Sequence, residues 1–134
     1  MDVSNASLYD GGSAVAEAVL LAMSVTGRNR VVVPASMHPE YRQILQTYFE
    51  CLGAELVTVP APSGVVAVAD IAAAVNGETA CVVVQHPNFF GCLEDVAAIA
   101  NVAHAAGALL IQSFDPISLG ALKRPADLGA DVAV

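Results

Sequence analysis

Residues 80–85, Ala80-Cys81-Val82-Val83-Val84-Gln85, decide the fold. A run that does not alternate between polar and apolar side chains reads as a strand covered on both faces, and such strands belong to parallel sheets flanked by helices. Working outward, the same kind of run recurs. Arg30-Val31-Val32-Val33-Pro34 and Glu55 to Val59 precede it, Ala108 to Ser113 follows it, and Asp131 to Val134 begins a fifth strand. Helical stretches fall between these runs. Ala14 to Ser24 has Gly27 just after it, and Glu40 to Leu52 places Ile44, Leu45, Tyr48, Phe49 and Leu52 on one face before Gly53. Val68 to Val75 breaks at Asn76-Gly77, and Asp95 to Ala106 closes at Gly107. Alternation of this kind gives a parallel sheet with right-handed crossovers. With the third strand on the inner side of the first, the strand order is 2-1-3-4-5. A ligand then belongs at the strand C-terminal ends, at the switch point between the first and third strands.

Composition narrows the function classes. The 134 residues are 56% hydrophobic but only 5% aromatic, so the core is built from Ala, Val, Leu and Ile. That length suits one domain and is short for an enzyme with separate cofactor and substrate regions. A net charge of −8 with five Lys and Arg argues against a phosphate backbone as partner, so no nucleic acid is expected. Cys51, Cys81 and Cys92 show neither the spacing of a zinc site nor the even count of a disulfide framework, which implies no metal and a reduced, cytoplasmic compartment. No signal-peptide pattern and no apolar run of membrane-spanning length is present, so no membrane is expected. The strand-like run Ala130 to Val134 has no covering element after it. An edge of that kind leads us to expect a boundary within a larger chain, and self-association of this one.

The expected strand ends carry a short set of polar residues. Ser36 and His38 follow the first strand, Gln85, His86 and Asn88 the third, and Asp115 the fourth, while Gly11, Gly12 and Ser13 open the first helix. A glycine pair and a serine at a helix start offer N–H groups and a hydroxyl to a phosphate, or simply cap the helix. His38 before Pro39 also reads as a loop histidine, Asp115-Pro116 as a turn starter, and His104 as a residue favoured by the helix dipole at a C-terminus. Convergence at one sheet edge is what raises the set above its parts.

This arrangement resembles the fold type I pyridoxal-phosphate enzymes. At finer grain the chain resembles one family, subunit 1 of glycine dehydrogenase (decarboxylating), the α half of the P-protein of the glycine cleavage system. The runs that carry the resemblance are Asn5-Ala6-Ser7-Leu8-Tyr9-Asp10-Gly11, His38-Pro39-Glu40-Tyr41-Arg42, Val84-Gln85-His86-Pro87-Asn88-Phe89-Phe90-Gly91, Asp115-Pro116, Leu119-Gly120 and Gly129-Ala130-Asp131. The resemblance implies that residues 1–134 are a fragment of the three-layer α/β large domain of a pyridoxal-phosphate transferase, without the small C-terminal domain. Carried over by position, it implies cofactor-binding roles for Gly12 and Ser13 at the phosphate, His38 stacked on the ring, Asn88 near the ring hydroxyl and Asp115 at the pyridine nitrogen. It further implies a complex with glycine dehydrogenase subunit 2 and the lipoyl H-protein. That complex decarboxylates glycine and passes the aminomethyl group to the lipoyl arm.

One requirement is missing. Pyridoxal-phosphate chemistry needs a lysine that forms a Schiff base. The only lysine is Lys123, beside Arg124 and Pro125 in an expected surface loop, while the family position lies beyond the strand starting at Asp131. The resemblance implies that subunit 2 supplies the lysine and binds the cofactor, so none is expected covalently here, with no catalytic residue in this chain and no activity of this piece alone. The alternative is a flavodoxin-like nucleotide- or flavin-binding module of the same strand order. It fits poorly, because Val33-Pro34-Ala35-Ser36 is not a Ser/Thr-rich phosphate loop and His38 and Lys123 do not supply a receiver's acidic pair and lysine. A dinucleotide-binding domain would need a GxGxxG turn after a strand, which is absent.

Overall fold

A computed structural model describes residues 2–134. The elements run α1 (Gly11–Thr26), β1 (Arg30–Pro34), α2 (Pro39–Phe49), β2 (Glu55–Val59), α3 (Val68–Ala74), β3 (Thr79–Gln85), α4 (Val96–Ala105), β4 (Leu109–Ser113) and β5 (Val132–Ala133). Two 3₁₀ turns, Pro116–Gly120 and Pro125–Leu128, link β4 to β5. All the strand pairings are parallel, and the order is β2-β1-β3-β4-β5, as the sequence leads one to expect.

Successive side chains of a strand point to opposite faces, and the two cores follow from that rule. Val31, Val33, Cys81, Val83 and Ile111 face α1 and α2, packing on Val15, Val19, Leu45 and Phe49. Their neighbours Val32, Val82, Val84 and Leu110 face α3 and α4, packing on Ile71, Val96, Ile99 and Ala103. From Thr79 to Val84 every residue of β3 is buried, which is why this stretch reads without alternation. At the N-terminal strand edge the Arg28 guanidinium donates to the carbonyls of Thr79, Ala106 and Gly107, each at 3.0 Å.

Several boundaries shift from expectation, and two of the shifts bear on packing. The second helix stops at Phe49, three residues before Leu52, and both Tyr48 and Leu52 are exposed. Its last turn tightens, with the Leu52 N–H donating to the Phe49 carbonyl at 3.0 Å, and Gly53 at φ 61° turns the chain toward β2. A shallow hollow lined by Ile44, Thr47 and Tyr48 therefore lies on the outer side of α2 instead of a closed contact. The fifth strand starts at Val132 because the Asp131 side chain is drawn aside, accepting from the Leu110 N–H at 2.7 Å and lying 2.8 Å from His104 Nε2.

Candidate functional site

The sheet's C-terminal edge gathers most of the polar residues singled out above. β1 feeds Ser36 and His38, β3 feeds His86 and Asn88, and α2 brings Tyr41 across to the start of α1. The His38 ring stacks on Tyr41, with centroids 4.7 Å apart and planes 23° apart, and meets the Phe89 ring edge-on at 4.8 Å. Its Nδ1 accepts from the Glu40 N–H at 3.2 Å, and its backbone N–H donates to Gln85 Oε1 at 2.8 Å. His38 is thus a half-buried helix cap with a fixed ring.

At the start of α1 the protein supplies its own anion. Asp10 Oδ1 accepts from the Ser13 N–H at 2.7 Å and lies 3.0 Å from the Ser13 hydroxyl, whose oxygen in turn accepts from the Asp10 N–H at 3.2 Å. This capping box fills the Ser13 N–H, one of the groups that a phosphate would use, and ties back the Asp10 N–H. The Ser13 backbone N–H, then its hydroxyl, holds the Asp10 carboxyl below the ordinary 3.8, so the group is charged. Both glycines serve packing. A Cβ on Gly11 would collide with the Tyr41 phenol, and one on Gly12 with Ile44 Cδ1. Gly12 and Ser13 are therefore occupied by α2 and Asp10.

Asn88 is buried, and its amide is spent. Nδ2 donates to the Gly64 carbonyl and to Glu94 Oε1, both at 2.7 Å, while Oδ1 accepts from the N–H groups of Phe90 and Cys92, both at 3.0 Å. Two donors and two lone pairs exhaust a carboxamide. Asp115 lies at the end of β4, exposed, with Oδ1 accepting from the Ile117 N–H at 2.9 Å. Lys123 is exposed in the β4–β5 connection, next to the Arg124–Asp127 ion pair. Among the described residues no His, Cys, Asp and Glu cluster could hold a metal ion.

Tyr41, Phe89 and Glu94 are the members of this edge that sequence reasoning missed. Glu94 is buried at 5% exposure, whereas Glu94-Asp95 reads as two acids at a helix start. The available signal is redundancy: Asp95 alone caps α4, accepting from the Ala98 N–H at 3.2 Å, and leaves Glu94 free for another task. His86 is buried too, and burial pushes its pKa below 6.5 against the opposing pull of Glu94. Its Nδ1 accepts from the Glu94 N–H at 3.2 Å, which leaves the proton of the neutral ring on Nε2.

With these contacts filled, the residues of the edge do not fit pyridoxal phosphate. The phosphate position holds a carboxylate, the amide position has no free valence, and no lysine reaches the strand ends.

Comparison with known proteins bears on the same edge. The family described as "Glycine cleavage system P-protein" matches residues 1–134. "Probable glycine dehydrogenase (decarboxylating) subunit 1" of Geotalea daltonii is 53% identical over 134 residues, covering 100% of this chain and 30% of that protein. Its namesake in Chlorobaculum tepidum is 52% identical over 135 residues, again with 100% and 30% coverage. A crystal structure of glycine decarboxylase (P-protein) of the glycine cleavage system, in inhibitor-bound form, superposes with a TM-score of 0.91 at 49% identity, over 98% of this chain and 29% of that one. An aspartate aminotransferase variant of Thermus thermophilus superposes at 0.61 with 21% identity over 78% of this chain and 29% of that one, and shares the fold. The chain therefore spans about 30% of the length of the curated relatives it matches, and its sheet is the parallel core of fold type I.

Proposed function

The chain belongs to the glycine cleavage system P-protein family, and from that membership we propose that it is a large-domain segment of glycine dehydrogenase (decarboxylating) subunit 1. The complete subunit joins subunit 2 and the lipoyl H-protein. Together they decarboxylate glycine and hand the aminomethyl group to the lipoyl arm. One observation carries the reading: identity of about half extends over the whole of this chain.

Within that complex this edge acts as a wall. Pyridoxal phosphate, bound through subunit 2, supplies the electron sink for decarboxylation. Here, Asp10 caps α1 and Asn88 holds its loop, Phe89 and Asp115 are exposed, and the half-buried His38 lies against Phe89. Support for the division of labour comes from the filled contacts at the α1 start and from the distance in sequence between Lys123 and any strand end. Exposed Phe89, Phe90, Leu93 and Ile117 supply apolar area for the heteromeric contact, and for self-association of the isolated chain. A cytoplasmic location agrees with three unpaired cysteines. Among the described residues no helix is long and apolar enough to cross a membrane.

The test is co-expression of the full-length subunit with a subunit 2 homologue. A stable complex that exchanges the glycine carboxyl with bicarbonate in the presence of H-protein is expected. No complex and no exchange would sink the reading.

A further inference from the structure

Glu94 is the only buried acid among the described residues, and no Lys or Arg side chain pairs with it. Its charge is met by donors from three connections. Ser36 Oγ, after β1, donates to Oε1 at 2.6 Å; Asn88 Nδ2, after β3, donates to the same oxygen at 2.7 Å; and the Val66 N–H, between β2 and α3, donates to Oε2 at 3.0 Å. A carboxylate taken out of water without such partners is strongly destabilising, so this one commits all three connections to one geometry.

Two of the three connections converge on His38. Ser36 precedes it by two residues, and the Ser36 carbonyl accepts from the Phe89 N–H at 3.0 Å. Asn88, held by Glu94, directly precedes Phe89, whose ring meets the His38 imidazole edge-on. We propose that Glu94 is a positioning residue of the edge: its buried carboxylate fixes the segments on both sides of His38 and so sets where that imidazole stands against the partner's site. The proposal rests on the reading of this edge as a wall of that site.

The sharp variant is Glu94→Gln. It keeps the volume but turns one oxygen into an NH₂ that faces a donor, either Val66 or the Ser36 and Asn88 pair. In the full-length subunit, carbethoxylation by diethyl pyrocarbonate is followed at His38 by peptide mass mapping, with His104, at the far end of α4, as internal reference. The His38 rate should rise about fivefold or more while that of His104 holds, because losing one buried hydrogen bond raises the locally open population by that order. Ser36→Ala should move the same way by less, and it serves if Glu94→Gln does not fold. In the complex with subunit 2, Glu94→Gln should raise KM for glycine in the exchange reaction by a larger factor than it lowers kcat, the mark of disturbed binding rather than lost chemistry. An unchanged His38 rate in both variants overturns the proposal, as does a rise shared equally by His104. A raised rate with unchanged KM overturns the positioning role and leaves a structural clamp. A wild-type complex without exchange defeats the underlying reading, and the two failures are told apart because the wild-type control fails only then.

Discussion

A side chain larger than hydrogen at Gly11 or Gly12 would push aside the Tyr41 phenol or the Ile44 Cδ1 methyl, which α2 packs on the start of α1. Those two glycines are legible in the sequence as a special helix start, but their reason is not. A glycine pair before a serine looks the same whether the missing Cβ makes room for an anion or for a neighbouring helix, and only the position of Tyr41, thirty residues on, separates the two. Asp10 shows the same ambiguity from the other side, since its carboxylate completes a cap that an exogenous anion would otherwise complete. Asp10→Ala should lower the thermal midpoint near neutrality, with Asp10→Asn lowering it less because the amide oxygen still accepts. The folded-state pKa lies below the ordinary 3.8. The carboxylate's contribution is therefore present above that value and is lost as the pH falls below it through the folded pKa. Melting curves across that range should show the difference between wild type and Asp10→Ala shrinking in acid; a constant difference would show that charge plays no part in the cap.

Among the elements, β1 has the bounds its sequence suggests, because an apolar run between loop residues fixes a buried strand at both ends, and β2, a half-exposed edge strand, keeps its bounds in register beside it. Helix ends are less legible. The stripe Leu45 and Phe49 is readable from period alone, but the halt at Phe49 is set by the turn that delivers Glu55 beside Asn29, whose carbonyl accepts from the Glu55 N–H at 2.9 Å. The Glu94 contacts are less legible still, since Ser36, Val66 and Asn88 lie on three connections whose proximity is a property of the sheet order. Burial predicts contrasting costs within one pair of neighbouring elements. Ile111→Ala, on β4 and wholly buried, should lose about 2–5 kcal/mol. Ile117→Ala, in the following turn and 84% exposed, should stay within about 0.5 kcal/mol of wild type. Urea titrations with unchanged slope would read both directly, and equal losses would contradict the packing described for β4.

At the scale of the molecule, the reactive and the structural charges occupy different places. Lys123 stands in the exposed β4–β5 connection, while the polar groups of the edge are committed to one another. Incubation of the purified chain with pyridoxal phosphate followed by borohydride should leave no stoichiometric reduced adduct at Lys123. Mass spectrometry would detect one, and its presence would mean that the chain can recruit the cofactor unaided. The cap at the start of α1 bears on how the molecule meets its surroundings. Asp10 is a ligand bound by the chain itself, three residues from the groups it serves, so its effective concentration is fixed by the backbone and cannot be diluted. Free phosphate, nucleotides and other solutes would have to outcompete an occupant that never diffuses away, and this helix start should stay indifferent to swings in their concentration.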